Sequence, residues 1–181
     1  MHDQDKEKLP AGVKLTNLSS YEDPRGKLTE MFRSKWVDNL LPVQWNFVQS
    51  NGNTIRGMHV HRNHYDYLFV PNGKMQLGLK DLRRNSPTYL MPALITLDSS
   101  KFRTCLIPPG VAHCFYFPVP SILIYSLTNY WSLEDDLGCK WNDPEIGIDW
   151  PDINPELSER DTNAPGLSEL LKRLENVEFQ I

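Results

Sequence analysis

Histidine and cysteine are both scarce in this sequence, and several familiar signatures are missing. The three cysteines, Cys105, Cys114 and Cys139, are odd in number and widely spaced, so they offer no disulfide framework. No apolar run approaches the length of a membrane span. Met1 to Lys8 is charged rather than apolar and does not read as a secretory leader. A reducing cytoplasm is the address these features predict. Positive charge is not in excess: 19 Lys and Arg stand against 23 Asp and Glu, a net charge of −4. That balance argues against a sequence-independent nucleic-acid binder. Neither the G-x-x-x-x-G-K-S/T nor the G-x-G-x-x-G fingerprint occurs, and no G-x-S-x-G elbow is present. P-loop chemistry, an ordinary dinucleotide fold and an α/β-hydrolase therefore fall away.

What is present suits one globular domain. The chain has 181 residues, 40% hydrophobic and 23% charged, enough to bury a core without a staple or structural metal. A polar tail is expected over residues 1–12, and a single domain over residues 13–181. Short β-like runs fill the stretch from Val13 to about Thr128: Trp45–Gln49, Tyr67–Val70, Lys74–Leu79, Ala93–Leu97, Cys105–Ile107 and Ser121–Leu127. Turn signals separate them, at Asp23-Pro24-Arg25-Gly26, Pro71-Asn72-Gly73, Asn85-Ser86-Pro87 and Pro108-Pro109-Gly110. Many short strands at fairly even spacing predict a mainly β sandwich or barrel. A weak helical pattern runs over Lys27–Leu40. Trp141 to Pro155 holds three prolines and two tryptophans and is expected to be irregular. Leucines at 167, 170, 171 and 174 have a helical period and predict a short helix packed on the barrel.

Three of the five histidines crowd into Gly57-Met58-His59-Val60-His61-Arg62-Asn63-His64. On a strand, His59 and His61 share a face. Asp66 follows shortly, and His113 comes after the Pro108-Pro109-Gly110 turn. A histidine with a carboxylate partner is the usual general base near neutral pH. Two same-face histidines with a carboxylate and a distant histidine also suit a metal ion. Solvated loop histidines fit the same spacing equally well. Arg56 and Arg25 have the chemistry for bidentate phosphate contact, although isolated arginines usually serve solubility. Tyr125, in an apolar run, reads as core. Asp161 reads as a helix cap or surface charge.

Taken in order, the motifs carry more. Asp23-Pro24-Arg25-Gly26, Phe47-Val48-Gln49-Ser50-Asn51 and Ile55-Arg56-Gly57-Met58-His59 come first. Asp81-Leu82-Arg83 with Ser86-Pro87-Thr88, then Ile107-Pro108-Pro109-Gly110-Val111-Ala112-His113, follow. Tyr125 with Thr128-Asn129-Tyr130, Trp141-Asn142-Asp143-Pro144, Ile146-Gly147-Ile148-Asp149-Trp150-Pro151 and Leu157-Ser158-Glu159-Arg160-Asp161 complete the series. The ordered set resembles the dTDP-4-dehydrorhamnose 3,5-epimerase family of cupins over roughly residues 13–165.

The resemblance implies a cupin-type jelly-roll β-barrel, a homodimer that shares strands, and a reaction without cofactor or metal. It implies a nucleotide-diphosphate-linked 4-keto-6-deoxy sugar as substrate, inverted at carbon 3, carbon 5 or both. By resemblance, His59 is the base, Asp161 its paired carboxylate and Tyr125 the acid on the opposite face of the sugar. Arg56 and His113 match groups near the ketone oxygen. Arg25, Glu30, Gln49 and Asn51 match positions lining the sugar-nucleotide cleft. The physics is coherent: a proton beside a ketone needs a placed base and donors for the enolate oxygen.

The departures cluster in the pocket. The family commonly has lysine where Asp66 stands, seven residues before Gly73, and glutamine where His61 stands. Leu77 occupies a position often held by aspartate. These changes bring the chain nearer a metal-cupin pattern: His59-x-His61, four residues, Asp66, six residues, Gly73, and later Pro108-x-Gly110-x-x-His113. A divalent metal on His59, His61, Asp66 and His113 is therefore the alternative, and on that reading His59 is not a free base. A cupin 3,4-ketoisomerase, a metal-dependent cupin enzyme and a non-catalytic sugar-nucleotide binder are the competing functions.

Overall fold

The computed structural model describes residues 7–151 and 153–179. In chain order the strands are β1 (Lys14–Asn17), β2 (Ser20–Asp23), β3 (Gly26–Thr29), β4 (Gln44–Ser50), β5 (Thr54–Val60) and β6 (Asp66–Asn72). They continue with β7 (Lys74–Asp81), β8 (Pro92–Asp98), β9 (Arg103–Ile107), β10 (Val111–Phe117), β11 (Ser121–Leu127) and β12 (Leu137–Gly138). Two helices follow, α1 (Glu159–Thr162) and α2 (Leu167–Arg173).

Ten of the strands form two five-stranded antiparallel sheets, ordered β1-β9-β6-β11-β4 and β12-β5-β10-β7-β8. Strands β2 and β3 make a separate hairpin. The expected turns do topological work. Pro71-Asn72-Gly73 leads from β6 in one sheet to β7 in the other, and Pro108-Pro109-Gly110 leads from β9 to β10. Such crossings stack the sheets face to face, which gives the mainly β, jelly-roll architecture expected from the sequence.

Alternation along each strand sends one set of side chains between the sheets. Leu68, Val70, Cys105, Ile107 and Leu123 from one sheet meet Met75, Leu77, Leu79, Ile95, Leu97, Phe115 and Phe117 from the other. Each fully buried leucine here contributes about 1.5–3 kcal/mol. The C-terminal segment covers the outer face of the second sheet. Leu167, Leu170 and Leu174 pack there with Ile55, Met58, Val60, Ala112, Cys114 and Tyr116, and Trp141 and Trp150 pack against the cluster. Strand β10 is therefore buried at every position, as expected of a strand covered on both faces.

The helical pattern over Lys27–Leu40 is corrected by the structure. The Asp23–Gly26 turn folds the chain back, so Glu22 pairs with Lys27 and Tyr21 with Leu28 in the β2–β3 hairpin. Only a single 3-10 turn, Ser34–Val37, follows, ended by Asp38 and Asn39 at positive φ. The irregular Trp141–Pro155 stretch holds one 3-10 turn, Pro144–Ile146. Of the tail expected over residues 1–12, residues 1–6 lie outside the described residues. The rest docks: Leu9 packs against the core, and Ala11 bonds to Thr88 Oγ1 and Arg83 Nη2 at 2.8 and 2.6 Å.

Candidate active site

A regular strand would put Arg56 and His59 on opposite faces of β5, because they are three apart. The strand is not regular. In its pairing with β10, Gly57 lies opposite Cys114 and His59 opposite His113, so Met58 is an extra residue. This β-bulge resets the alternation. Arg56, His59 and His61 all line one cavity of about 160 Å³ between the sheets, while Met58 is buried against the C-terminal shell. Gly57 takes φ +109°, and a Cβ there would come within 2.7 Å of the His113 carbonyl oxygen, so the bulge requires glycine.

The other wall comes from the opposite sheet. Tyr125 on β11 and Asp66 at the start of β6 line the same cavity, and His113 on β10, beside β5, lines it too. Asp161 reaches in from α1, where Ser158 caps the helix by accepting from the Asp161 N–H. Asp161 Oδ1 lies 2.8 Å from His59 Nε2, and Oδ2 accepts from the Gly57 N–H at 3.2 Å. Burial pushes the Asp161 carboxyl up, but the hydrogen bond to His59, the His59 charge and the Gly57 and Ser158 donors outweigh it. The net shift is below the usual carboxylate range. Tyr125 is raised by burial and by the charges of Asp66 and Asp136, so its phenol keeps its proton at neutral pH.

Not every expected residue joins them. His59, Tyr125, Arg56 and His113 line the cavity and Asp161 backs His59. Arg25, Glu30, Gln49 and Asn51 are outside its lining. Arg25 sits on the hairpin turn, bonded to Asp23 at 2.6 Å, and Glu30 pairs with Arg33. On β4 the odd-numbered side chains Trp45, Phe47 and Gln49 are exposed, and Val48 faces the cavity.

A model describing the dTDP-4-dehydrorhamnose 3,5-epimerase family matches residues 8–169. The chain belongs to the dTDP-4-dehydrorhamnose 3,5-epimerase family. A relative of that name from Sinorhizobium fredii is 33% identical over 172 residues, covering 88% of this chain and 87% of the relative. The crystal structure of a dTDP-4-dehydrorhamnose 3,5-epimerase from Bacillus anthracis, with TDP and PPi bound, superposes with TM-score 0.81 at 33% identity. That match covers 90% of this chain and 99% of the other. A dTDP-6-deoxy-D-glucose-3,5-epimerase from Legionella pneumophila, solved with dTDP-4-keto-L-rhamnose, gives TM-score 0.81 at 27% identity, covering 93% and 94%.

This member of the epimerase family has acidic and imidazole groups that sequence reasoning did not place in the site. Asp136 lines the cavity, with Oδ1 3.9 Å from both His59 Nδ1 and His61 Nδ1. Burial raises its carboxyl, but hydrogen bonds from Arg160 and Trp131 and the nearby histidines bring it well below the ordinary range. Asp135 accepts from the backbone N–H groups of Arg62 and Asn63 at 2.8 and 3.2 Å. His64 is stacked on His61, ring centroids 4.2 Å apart. It belongs to the crowded histidine run, and its full burial on a connecting segment was the signal that spacing did not show. Asp135 and Asp136 lie more than 70 residues from the histidines they serve, and only the fold joins them.

The metal alternative is also redrawn. Ligand atoms of His61, Asp66 and His113 lie within 4.8 Å of one another, as do those of His61, His64 and Asp135. His59 is in neither group among the described residues. Burial, with the neighbouring imidazoles, holds His61 down at about 3 and His113 well below its ordinary value. Burial, with the Asp136 and Asp135 charges, pushes Asp66 up.

Proposed function

We propose that this chain epimerises a dTDP-linked 4-keto-6-deoxy sugar at carbon 3, carbon 5 or both. His59 acts as base, Asp161 holds it, and Tyr125 returns the proton. The observation that carries this reading is the His59–Asp161 pair at 2.8 Å on one wall of a cavity whose other wall presents Tyr125. With Nε2 directed at the carboxylate, Nδ1 is the nitrogen free to take a proton from the carbon beside the ketone. The bond's electron pair moves into the carbonyl, giving an enolate that the Arg56 guanidinium stabilises. A proton delivered from β11 arrives on the face opposite the one deprotonated from β5, and the centre inverts. Family membership and the ligands seen in relatives support the substrate class.

We also infer a homodimer. Strand β4 is an edge of its sheet and exposes Trp45 and Phe47, and the free β2–β3 hairpin exposes Tyr21 and Leu28. Exposed apolar side chains gathered on an edge favour association. In this assembly Arg25, Glu30, Gln49 and Asn51 serve the nucleotide-binding cleft rather than the catalytic cavity. Sedimentation analysis is expected to give twice the 21.0 kDa chain mass.

The deciding experiment follows solvent deuterium into a dTDP-linked 4-keto-6-deoxy sugar by proton NMR. Exchange at carbon 3 or carbon 5 is expected, and His59→Ala is expected to abolish it. No exchange at either carbon by the folded wild-type protein refutes the reading. Migration of the carbonyl to carbon 3 would identify a ketoisomerase instead.

A further inference from the structure

We propose that His61, Asp66 and His113 bind one divalent first-row transition-metal ion, with His64 alongside, and that this ion sits in the same cavity beside the proposed base, His59, rather than on it.

The three side chains come from different, rigid places. His61 follows the last residue of β5, His113 lies on β10 beside it, and Asp66 opens β6 in the opposite sheet. Their ligand atoms lie within 4.8 Å of one another, so small side-chain adjustments bring them to metal-bond lengths of about 2.0–2.2 Å. Both imidazoles are already oriented. His61 Nδ1–H donates to the Asp135 carbonyl at 3.3 Å, and His113 Nδ1–H donates to the Val111 carbonyl at 3.3 Å. That leaves each Nε2 with a lone pair, and an outer hydrogen bond to a backbone carbonyl is the usual companion of a metal-bound histidine.

Burial makes the cluster costly without a cation. Asp66 is 3% exposed and His64 1%. The ring nitrogens nearest the Asp66 carboxylate, on His64 and His113, stand at 3.8 and 4.0 Å, beyond hydrogen-bonding reach. Both ring nitrogens of His64 lack a hydrogen-bond partner among the described residues; its Nδ1 is 3.3 Å from Asp135 Oδ2 but misaligned. Buried polar groups are nearly always satisfied, and orphaned ones call for an ion or water. Two imidazoles and one carboxylate suit Zn²⁺, Fe²⁺, Mn²⁺ or Co²⁺. An oxygen-only ion such as Ca²⁺ fits poorly.

His59 stays free because its Nε2 is committed to Asp161 at 2.8 Å. The base and the ion, mutually exclusive on sequence spacing, are therefore compatible in space. Three protein ligands leave a coordination position open toward the cavity. Among the described residues, Arg56 is the one permanent cation lining that cavity, against Asp66 and Asp136. On the epimerase reading, on which this role rests, the ion supplies the positive charge that a forming enolate oxygen needs.

The test uses the full-length chain without a histidine tag, stripped by chelator and titrated with Co²⁺ while visible absorption is recorded. One equivalent is expected, with the bands of nitrogen–oxygen coordination. Asp66→Asn and His113→Gln should each weaken Co²⁺ binding at least about tenfold, and His59→Gln should retain it. Zn²⁺ should raise the melting temperature of the wild type, which reports the site even if a variant folds poorly. Less than a tenth of an equivalent bound, unchanged affinity in both ligand variants, or loss of binding in His59→Gln overturns the proposal. Deuterium exchange measured in parallel separates the two claims. Exchange by a protein that binds no Co²⁺ sinks the metal site and leaves the epimerase reading standing; Co²⁺ binding without exchange does the reverse.

Discussion

Replacing Asp161 by asparagine alters one atom at the back of the site, and the structure says what should follow. Oδ1 faces His59 Nε2 at 2.8 Å, and Oδ2 accepts from the Gly57 N–H at 3.2 Å. An asparagine keeps its oxygen on the Gly57 N–H and turns its amino group toward His59. Nε2 must then accept, so the ring proton moves to Nδ1, the nitrogen that takes the substrate proton in the proposed mechanism. Flipping the amide restores the tautomer but sets two N–H groups against each other, an unsatisfied donor costing about 1–3 kcal/mol. Losing the carboxylate charge weakens the remaining hydrogen bond by about 0.5–2 kcal/mol. Together these remove about 1.5–5 kcal/mol of support for the proposed base, or roughly 10- to 5,000-fold in rate. KM should change little, since Asp161 stands behind His59 rather than against the sugar. The assay is the initial rate of deuterium wash-in by NMR, with circular dichroism as a check of folding. A folded Asp161→Asn protein that exchanges within threefold of wild type would refute the pairing of base and carboxylate.

Three further outcomes are expected. Tyr125→Phe should slow inversion about 10²-fold or more while leaving exchange within about tenfold, because in the proposed mechanism it removes the returning acid and not the base; equal losses in both would count against the role. Asp81, fully buried, accepts from Arg83, Ser86 and Thr88. Asp81→Asn should cost about 3–5 kcal/mol, lowering Tm by about 6–20 °C. Burial raises the Asp81 carboxyl, but those hydrogen bonds outweigh it and the net shift is downward. Its contribution is thus present above the ordinary carboxylate pKa and lost as pH falls through the depressed value, so the variant's stability deficit, measured by urea unfolding, should shrink in acid. Gly57→Ala should destabilise by about 1–3 kcal/mol from positive φ alone, with further loss from the clash with His113; an unchanged Tm and exchange rate would contradict the bulge geometry.

Much of the framework could be read from the sequence, for a physical reason. Strands such as Lys74–Asp81 and Ser121–Leu127 have β-forming residues bounded by Pro, Gly and Asn, and local chemistry decides both. The exposed hairpin strands β2 and β3 are short and polar, so periodicity had nothing to detect and the helical pattern at Lys27 misled. His59 and His61 sharing a face followed from alternation. Arg56 joining them did not, since it depends on an extra residue that alternation cannot see. Tyr125 and Asp161 read as core and cap on their own chemistry, and Asp161 does sit in the first turn of α1, capped by Ser158. Only resemblance singled them out. Asp136 lay beyond either approach, because its link to His59 is made by tertiary packing alone.

The bulge in β5 has one more consequence. At this irregularity the Gly57 N–H bonds to Asp161, 104 residues further along the chain. A flaw in the weave becomes the eyelet through which the C-terminal segment is laced to the barrel. A chain cut before Ser158 would lose the carboxylate, its capping turn and the bond to Gly57 in one stroke. The C-terminal segment is thus as much a part of the cavity's support as the strands that wall it.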